Sequence, residues 1–104
     1  MLSEDTYLSV NLVYVLKCED DCYYIGVSSN LNARLAQHFH GNGCAWTRRH
    51  KPIKLIEVYI GGERKENEIA LQYINKYGYA KARGGKYLKD KKDSICYWLK
   101  QITI

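Results

Sequence analysis

Apolar and β-forming residues crowd Leu12 to Leu16 and again Tyr23 to Ser28, with Glu19-Asp20-Asp21 between them, which predicts a β-hairpin. With Glu19 to Asp21 as a three-residue loop, Cys18 faces Cys22, Leu16 faces Tyr24 and Tyr14 faces Gly26. Tyr14 and Tyr24 then lie diagonally on one face, and Gly26 leaves room beside the Tyr14 ring. An odd slip of register would send the two phenols to opposite faces.

Ser28-Ser29-Asn30 offers helix caps, and Leu31, Leu35 and Phe39 then recur at helical spacing until Gly41. Arg34 and His38 share a stripe of this helix beside the apolar one, at the border of core and cleft. Gly41 to Pro52 reads as a basic, glycine-containing loop, and Ile53 to Ile60 as a third strand ending at Gly61-Gly62. Arg64 to Tyr77 predicts a second helix that buries Ile69, Tyr73 and Tyr77 and stops at Gly78. Ala80 to Asp90 is polar. Ile95, Trp98, Leu99 and Ile102 return to helical spacing behind Asp93 or Ser94, giving a closing helix at about 93–103 that packs on the core. The order is ββαβα plus a C-terminal helix: an α+β fold with a small three-stranded antiparallel sheet flanked by helices.

The length of 104 residues favours one domain over 1–104, with no room for a separate DNA-reading unit. Target selectivity must then come from the same fold or from a protein partner or homodimer. No apolar stretch approaches the roughly 20 residues of a membrane helix, and no secretion signal opens the chain. The expected place is inside a cell, in cytoplasm or nucleus, with no membrane partner. Cys18, Cys22, Cys44 and Cys96 are read accordingly as reduced thiols.

The net charge is +5, and its distribution says more than its size. No acid occurs between Cys22 and Ile56, whereas Arg34, Arg48, Arg49, Lys51 and Lys54 do. A second basic stretch sets Lys76, Lys81, Arg83, Lys86, Lys89, Lys91 and Lys92 against Asp90 alone. Folded onto one face, the two would attract a polyanion by neutralising phosphates; spread out, they are a solvated surface.

The tyrosine of Leu12-Val13-Tyr14, the intact Tyr24-Ile25-Gly26, the Arg34-x-x-x-His38 helix, the Trp46-Thr47-Arg48-Arg49 loop and an acidic second helix follow in one order. Together they resemble the GIY-YIG nuclease domain, over a motif core of about 11–87. The first motif keeps only its tyrosine, and the Asn that the family often carries after the second helix has no evident counterpart. Lys76-Tyr77-Gly78 followed by Arg83-Gly84-Gly85-Lys86-Tyr87 resembles an extension seen in proteins of large DNA viruses and their relatives.

The resemblance implies a DNA endonuclease with one divalent cation, Mg²⁺ or Mn²⁺, that leaves a 5′-phosphate and a 3′-hydroxyl. Tyr14 or Tyr24 would accept the proton of the attacking water, although a phenol with a free pKa of about 10 needs positive charge nearby to lower it. Arg34 would supply that charge and hold the phosphate through its planar fork. Glu68 is the expected metal ligand and Glu66 the alternative, one carboxylate plus waters being a usual way to hold Mg²⁺. His38 would relay a proton or touch phosphate, or else cap the helix end as a partly buried histidine. Trp46, Arg48, Arg49 and Lys51 would track the nucleic-acid backbone, with Arg83 and Lys86 adding phosphate contacts, unless Trp46 is a core plug. Zinc is the weaker reading: Cys18-x-x-x-Cys22 with His38, His40 and Cys44 supplies ligand types without a second close pair. Two rivals remain: a module that binds nucleic acid without cutting, and a subunit that is active only within a complex.

Overall fold

In the computed structural model, residues 10–88 are described, and they form an α+β arrangement. Strand β1 (Leu12–Cys18) turns through a 3-10 turn at Glu19–Asp21 into β2 (Cys22–Ser28). Helix α1 (Leu31–Phe39), a short helix α2 (Ala45–Arg49), strand β3 (Pro52–Ile60), helix α3 (Glu63–Tyr77) and strand β4 (Ala82–Gly84) follow. The predicted closing helix lies outside the described residues.

The hairpin register is the one that a three-residue loop dictates: Cys18 opposite Cys22, Leu16 opposite Tyr24, Tyr14 opposite Gly26. Asp20 and Asp21 both take positive φ to close it, a conformation short polar side chains tolerate best after glycine. Asn30 caps α1 by accepting the Ala33 N–H, as expected of that residue type. Gly78, at φ +93°, ends α3 where a side chain would be strained.

Two features depart from the sequence reading. The sheet has four strands in the order β3-β1-β2-β4, and β4 runs parallel to β2, so the sheet is mixed rather than purely antiparallel. Three residues with no alternation carry no strand signal; the free edge of β2 recruits them because its backbone groups need partners. The Gly41 to Pro52 loop also contains α2, a single helical turn too short for any periodicity to register.

The sheet buries both faces. One carries Tyr14, Leu16, Cys18, Cys22 and Tyr24 with Trp46, covered by Leu31, Leu35, Cys44 and Leu88. The other carries Val13, Val15 and Ile25 against Ile69 and Ala70 of α3. At the outer edge, β3 leaves Ile53, Leu55, Ile56, Val58 and Ile60 exposed. Phe39 is likewise exposed, whereas Leu31 and Leu35 reach the core.

Candidate active site

Tyr14 and Tyr24 project from adjacent strands to the same face, ring centroids 6.2 Å apart. Gly26 makes this packing possible, since a Cβ there would lie 2.4 Å from the Tyr14 hydroxyl. Over the pair sits α1. His38 is fully buried, its ring 5.7 Å from that of Tyr14 and 4.9 Å from that of Tyr24.

The hydrogen bonds around His38 fix its tautomer. Thr47 Oγ1 donates to the Cys44 carbonyl at 3.1 Å, so it is free to accept from His38 Nδ1, 3.1 Å away. Nε2 then keeps its lone pair and accepts from the Tyr14 hydroxyl at 2.8 Å. The direction of transfer is thus Tyr14 to His38 to Thr47 to backbone, with every buried polar atom satisfied. Burial, helped by the nearby Arg34 charge, pushes the His38 pKa down to about 4 and keeps the ring neutral. A phosphate contact finds no support here, since the side chain is 1% exposed and both ring nitrogens are already hydrogen-bonded.

Arg34 lies one turn before His38, partly exposed, and its positive charge acts on the phenols of both Tyr14 and Tyr24. A hydrogen bond of 2.7 Å joins its Nη1 to Gln37 Oε1. The expectation that Arg34 lowers the phenol pKa is met in sign and overruled in sum. Burial outweighs the guanidinium and pushes Tyr14 up to about 12, and it pushes Tyr24 up further still.

The two candidate carboxylates of α3 part ways. Glu68 is exposed and lies 3.6 Å from the Lys65 ammonium. Glu66 is half-buried, and its charge has a small effect on both Tyr14 and Tyr24. Burial raises its carboxyl above the usual range, against the lowering pull of the Gly85 backbone. Next to it, Asn67 Oδ1 accepts the Lys86 N–H at 2.8 Å, so α3 clamps the turn after β4. Helical spacing separates the two acids: Glu66 precedes the buried Ile69 and Ala70 by three and four positions, whereas Glu68 does so for the exposed Leu71 and Gln72. No set of three or more His, Cys, Asp or Glu able to hold a metal occurs among the described residues, which removes the zinc reading's geometry. A lone half-buried carboxylate fits a cation that keeps most of its waters, as Mg²⁺ does.

Arg48 and Lys51 line a cleft of about 560 Å³ with Glu19, His38, His40 and Thr47. Arg49 and Lys86 are exposed. Two other expected nucleic-acid contacts are corrected. Trp46 is 3% exposed and serves as the core plug, packed under α1 against the tyrosine cluster, its ring 4.7 Å from that of His50. Arg83 is 6% exposed; its Nε donates to the Tyr79 carbonyl at 2.8 Å and its guanidinium stacks 3.7 Å from the Tyr79 ring. Sequence reasoning gave no role to Thr47 or to Gly43, where a Cβ would lie 2.3 Å from His38 Nδ1. Nothing in spacing announces either, because both meet His38 only through the fold of the loop.

A family model described as the GIY-YIG catalytic domain matches residues 10–94. Among curated proteins, a UPF0213 protein of Clostridium perfringens is 36% identical over 67 residues, covering 64% of this chain and 72% of its own length. One from Streptococcus pneumoniae is 48% identical over 64 residues, covering 62% of this chain and 64% of its own, so the matched part spans just under two thirds of that relative. The UPF0213 protein YazA of Bacillus subtilis is 30% identical over 81 residues, covering 78% and 80%. These relatives are bacterial and lend nothing to the large-virus subgroup. No solved structure matches the chain. The family model spans both tyrosines, the Arg34–His38 helix and the acidic α3, and the chain belongs to the GIY-YIG family of nuclease domains.

Proposed function

We propose that this protein is a metal-dependent endonuclease that hydrolyses DNA phosphodiesters, with Tyr14 as proton relay, Arg34 as phosphate holder and Glu66 as metal ligand. The directed chain Tyr14 to His38 to Thr47 carries the reading, because it places a proton acceptor on a phenol that burial keeps neutral. A phenol pushed up to about 12 supplies almost no phenolate at neutral pH. A relay avoids that requirement: as the water oxygen bonds to phosphorus, its proton passes to Tyr14 Oη while the phenolic proton passes to His38 Nε2. The P–O3′ bond breaks, and the leaving oxygen takes a proton from solvent. The buried imidazole is a weak base and returns its proton as the product departs.

Tyr14 has no exposed surface, and the Arg34 charge acts on it. A phosphate is a stronger partner for a guanidinium than a neutral phenol, so substrate draws Arg34 away and uncovers the Tyr14 oxygen. A divalent cation at Glu66 would neutralise phosphate charge and acidify a bound water. Glu66 takes this role in place of Glu68, whose carboxylate faces solvent and Lys65. Arg48 and Lys51 hold the DNA backbone along the adjoining cleft, with Arg49 and Lys86 further out.

The test is cleavage of supercoiled, flapped and four-way-junction DNA with Mg²⁺ or Mn²⁺ against chelator. Cutting should require metal, fall at least about 100-fold in Glu66→Gln and persist in Glu68→Gln. Binding without cutting in any metal would return the protein to the non-catalytic reading.

A further inference from the structure

Tyr23 precedes Tyr24 in β2 and therefore points to the opposite face of the sheet. There it joins three tyrosines the nuclease reading does not use. Its ring stacks on Tyr77 at 4.4 Å and lies 5.3 Å from Tyr73, while Tyr73 and Tyr77 are 5.8 Å apart. Tyr59 completes the group from β3. Together with Glu57, Gln72 and Lys76, three of these rings line a cleft of about 210 Å³. Within it, the hydroxyls of Tyr59 and Tyr73 both donate to the Glu57 carboxylate.

Cations surround the rings. The Lys76 ammonium lies 5.2 Å from the Tyr77 centroid and the Lys65 ammonium 5.3 Å from that of Tyr59. The register sets Lys17 between Tyr23 and Lys54, all three on this face. After the hydrogen bond from Tyr23, Lys76 and Lys17 both draw the Tyr77 hydroxyl below its ordinary pKa, so their charge converges on that ring. Against these four lysines stand Glu57 inside the cleft, Asp21 near Tyr23 and Glu68, 3.6 Å from Lys65. The rings are half-buried on the core of Val13, Val15, Ile25, Ile69 and Ala70, and Tyr77 is 37% exposed. Packing alone requires neither a carboxylate in the cleft nor ammonium groups at its rim.

Half-exposed aromatic faces among lysines are the chemistry that holds an unpaired polynucleotide: rings stack on bases and ammonium groups meet phosphates. A duplex hides its base faces and gains little from such rings. The cleft is smaller than the roughly 300–1,000 Å³ of a drug-sized pocket, which suits one planar base. Glu57 retains lone pairs to accept N–H groups from a base edge. We propose that this face is a binding site for single-stranded nucleic acid, in which the Glu57–Tyr59–Tyr73–Tyr77 cleft takes one unstacked base and Lys17, Lys54 and Lys76 hold the flanking phosphates. It faces away from Tyr14, so it grips a different stretch of polynucleotide from the one cut, and it does not depend on the catalytic assignment.

The experiment is fluorescence anisotropy of the full chain with labelled oligothymidine and with a duplex of equal length, in chelator so that no cleavage intervenes. Tyr77→Ala should weaken single-strand binding about tenfold, the effect of one lost stacked base, and change duplex binding less than about twofold. Tyr77→Phe should bind like the parent, because the ring face survives. Lys54→Glu with Lys76→Glu, both on exposed positions, should weaken single-strand binding and flatten its salt dependence by about 0.7 per lost phosphate contact. Unchanged single-strand affinity in Tyr77→Ala and in the lysine pair overturns the proposal. So does an equal loss on duplex, which would make the face a plain basic surface.

Discussion

Tyr23 and Tyr24 are neighbours in sequence, yet the two faces they enter treat the same side chain in opposite ways. On the Tyr24 face the phenols are sealed: Tyr14 is 0% and Tyr24 4% exposed, and the Tyr14 hydroxyl meets His38. On the Tyr23 face the phenols stack on one another and stay half open to water. Burial raises Tyr14 to about 12, whereas Tyr77 is drawn down by the Tyr23 hydroxyl and then by Lys76. A tyrosine held neutral and hydrogen-bonded suits proton relay; one presenting a ring beside an ammonium suits stacking. The pleat of one strand thus divides chemistry from adhesion.

The largest test of that division exchanges hydroxyls. Tyr14→Phe removes the relay oxygen and keeps the ring, so cleavage should fall about 10²–10⁴-fold, whereas Tyr23→Phe should stay within about twofold. Equal rates for the two variants, in a metal-dependent plasmid assay, would dissolve the contrast.

Acid should next expose the sealed face. His38 titrates near 4 when folded and about 6.5 when unfolded, so between those values the unfolded chain binds a proton the native one does not. Stability therefore falls as pH drops from about 6.5 to 4, by up to about 3 kcal/mol, and is fully retained above that window. Glu66, whose pKa burial raises, contributes with the opposite sign, so the informative quantity is the difference in slope between parent and His38→Gln. Urea unfolding at stepped pH measures it, and parallel slopes would mean that His38 is hydrated in the native state.

The smallest effect concerns packing slack. Gly26→Ala would place a methyl 2.4 Å from the Tyr14 hydroxyl, in a site with no room to yield, at a cost of about 1–3 kcal/mol. Tyr77→Phe on the open face should remain within about 0.5 kcal/mol of the parent. Thermal or urea melts of the two decide it; a neutral Gly26→Ala would show that Tyr14 can move.

Much of the fold was legible. The three-residue loop fixed the hairpin register and with it the shared face of Tyr14 and Tyr24, because side-chain direction in a strand alternates strictly. Asn30, Gly41 and Gly78 marked helix ends through local chemistry that needs no tertiary partner. What failed was short or non-local. β4 exists because β2 offers an edge, and α2 is a single turn. Trp46 and Arg83 read as ligands for nucleic acid because aromatic and cationic residues look alike in sequence whether they are buried or displayed. The two candidate carboxylates differ in a way spacing does show: Glu66 lies three and four positions before the buried Ile69 and Ala70, and Glu68 does not.

The sequence by itself determined which residue types were available and, through the strand and helix periods, which of them could share a face. Only the tertiary structure decided what each meets there: Thr47 orienting His38, His38 accepting from Tyr14, Glu57 lying under a cleft of rings. The reason is physical, since proton affinity and hydrogen-bond direction depend on desolvation and on neighbours within a few ångströms. Those neighbours come from distant parts of the chain, and no local pattern encodes them.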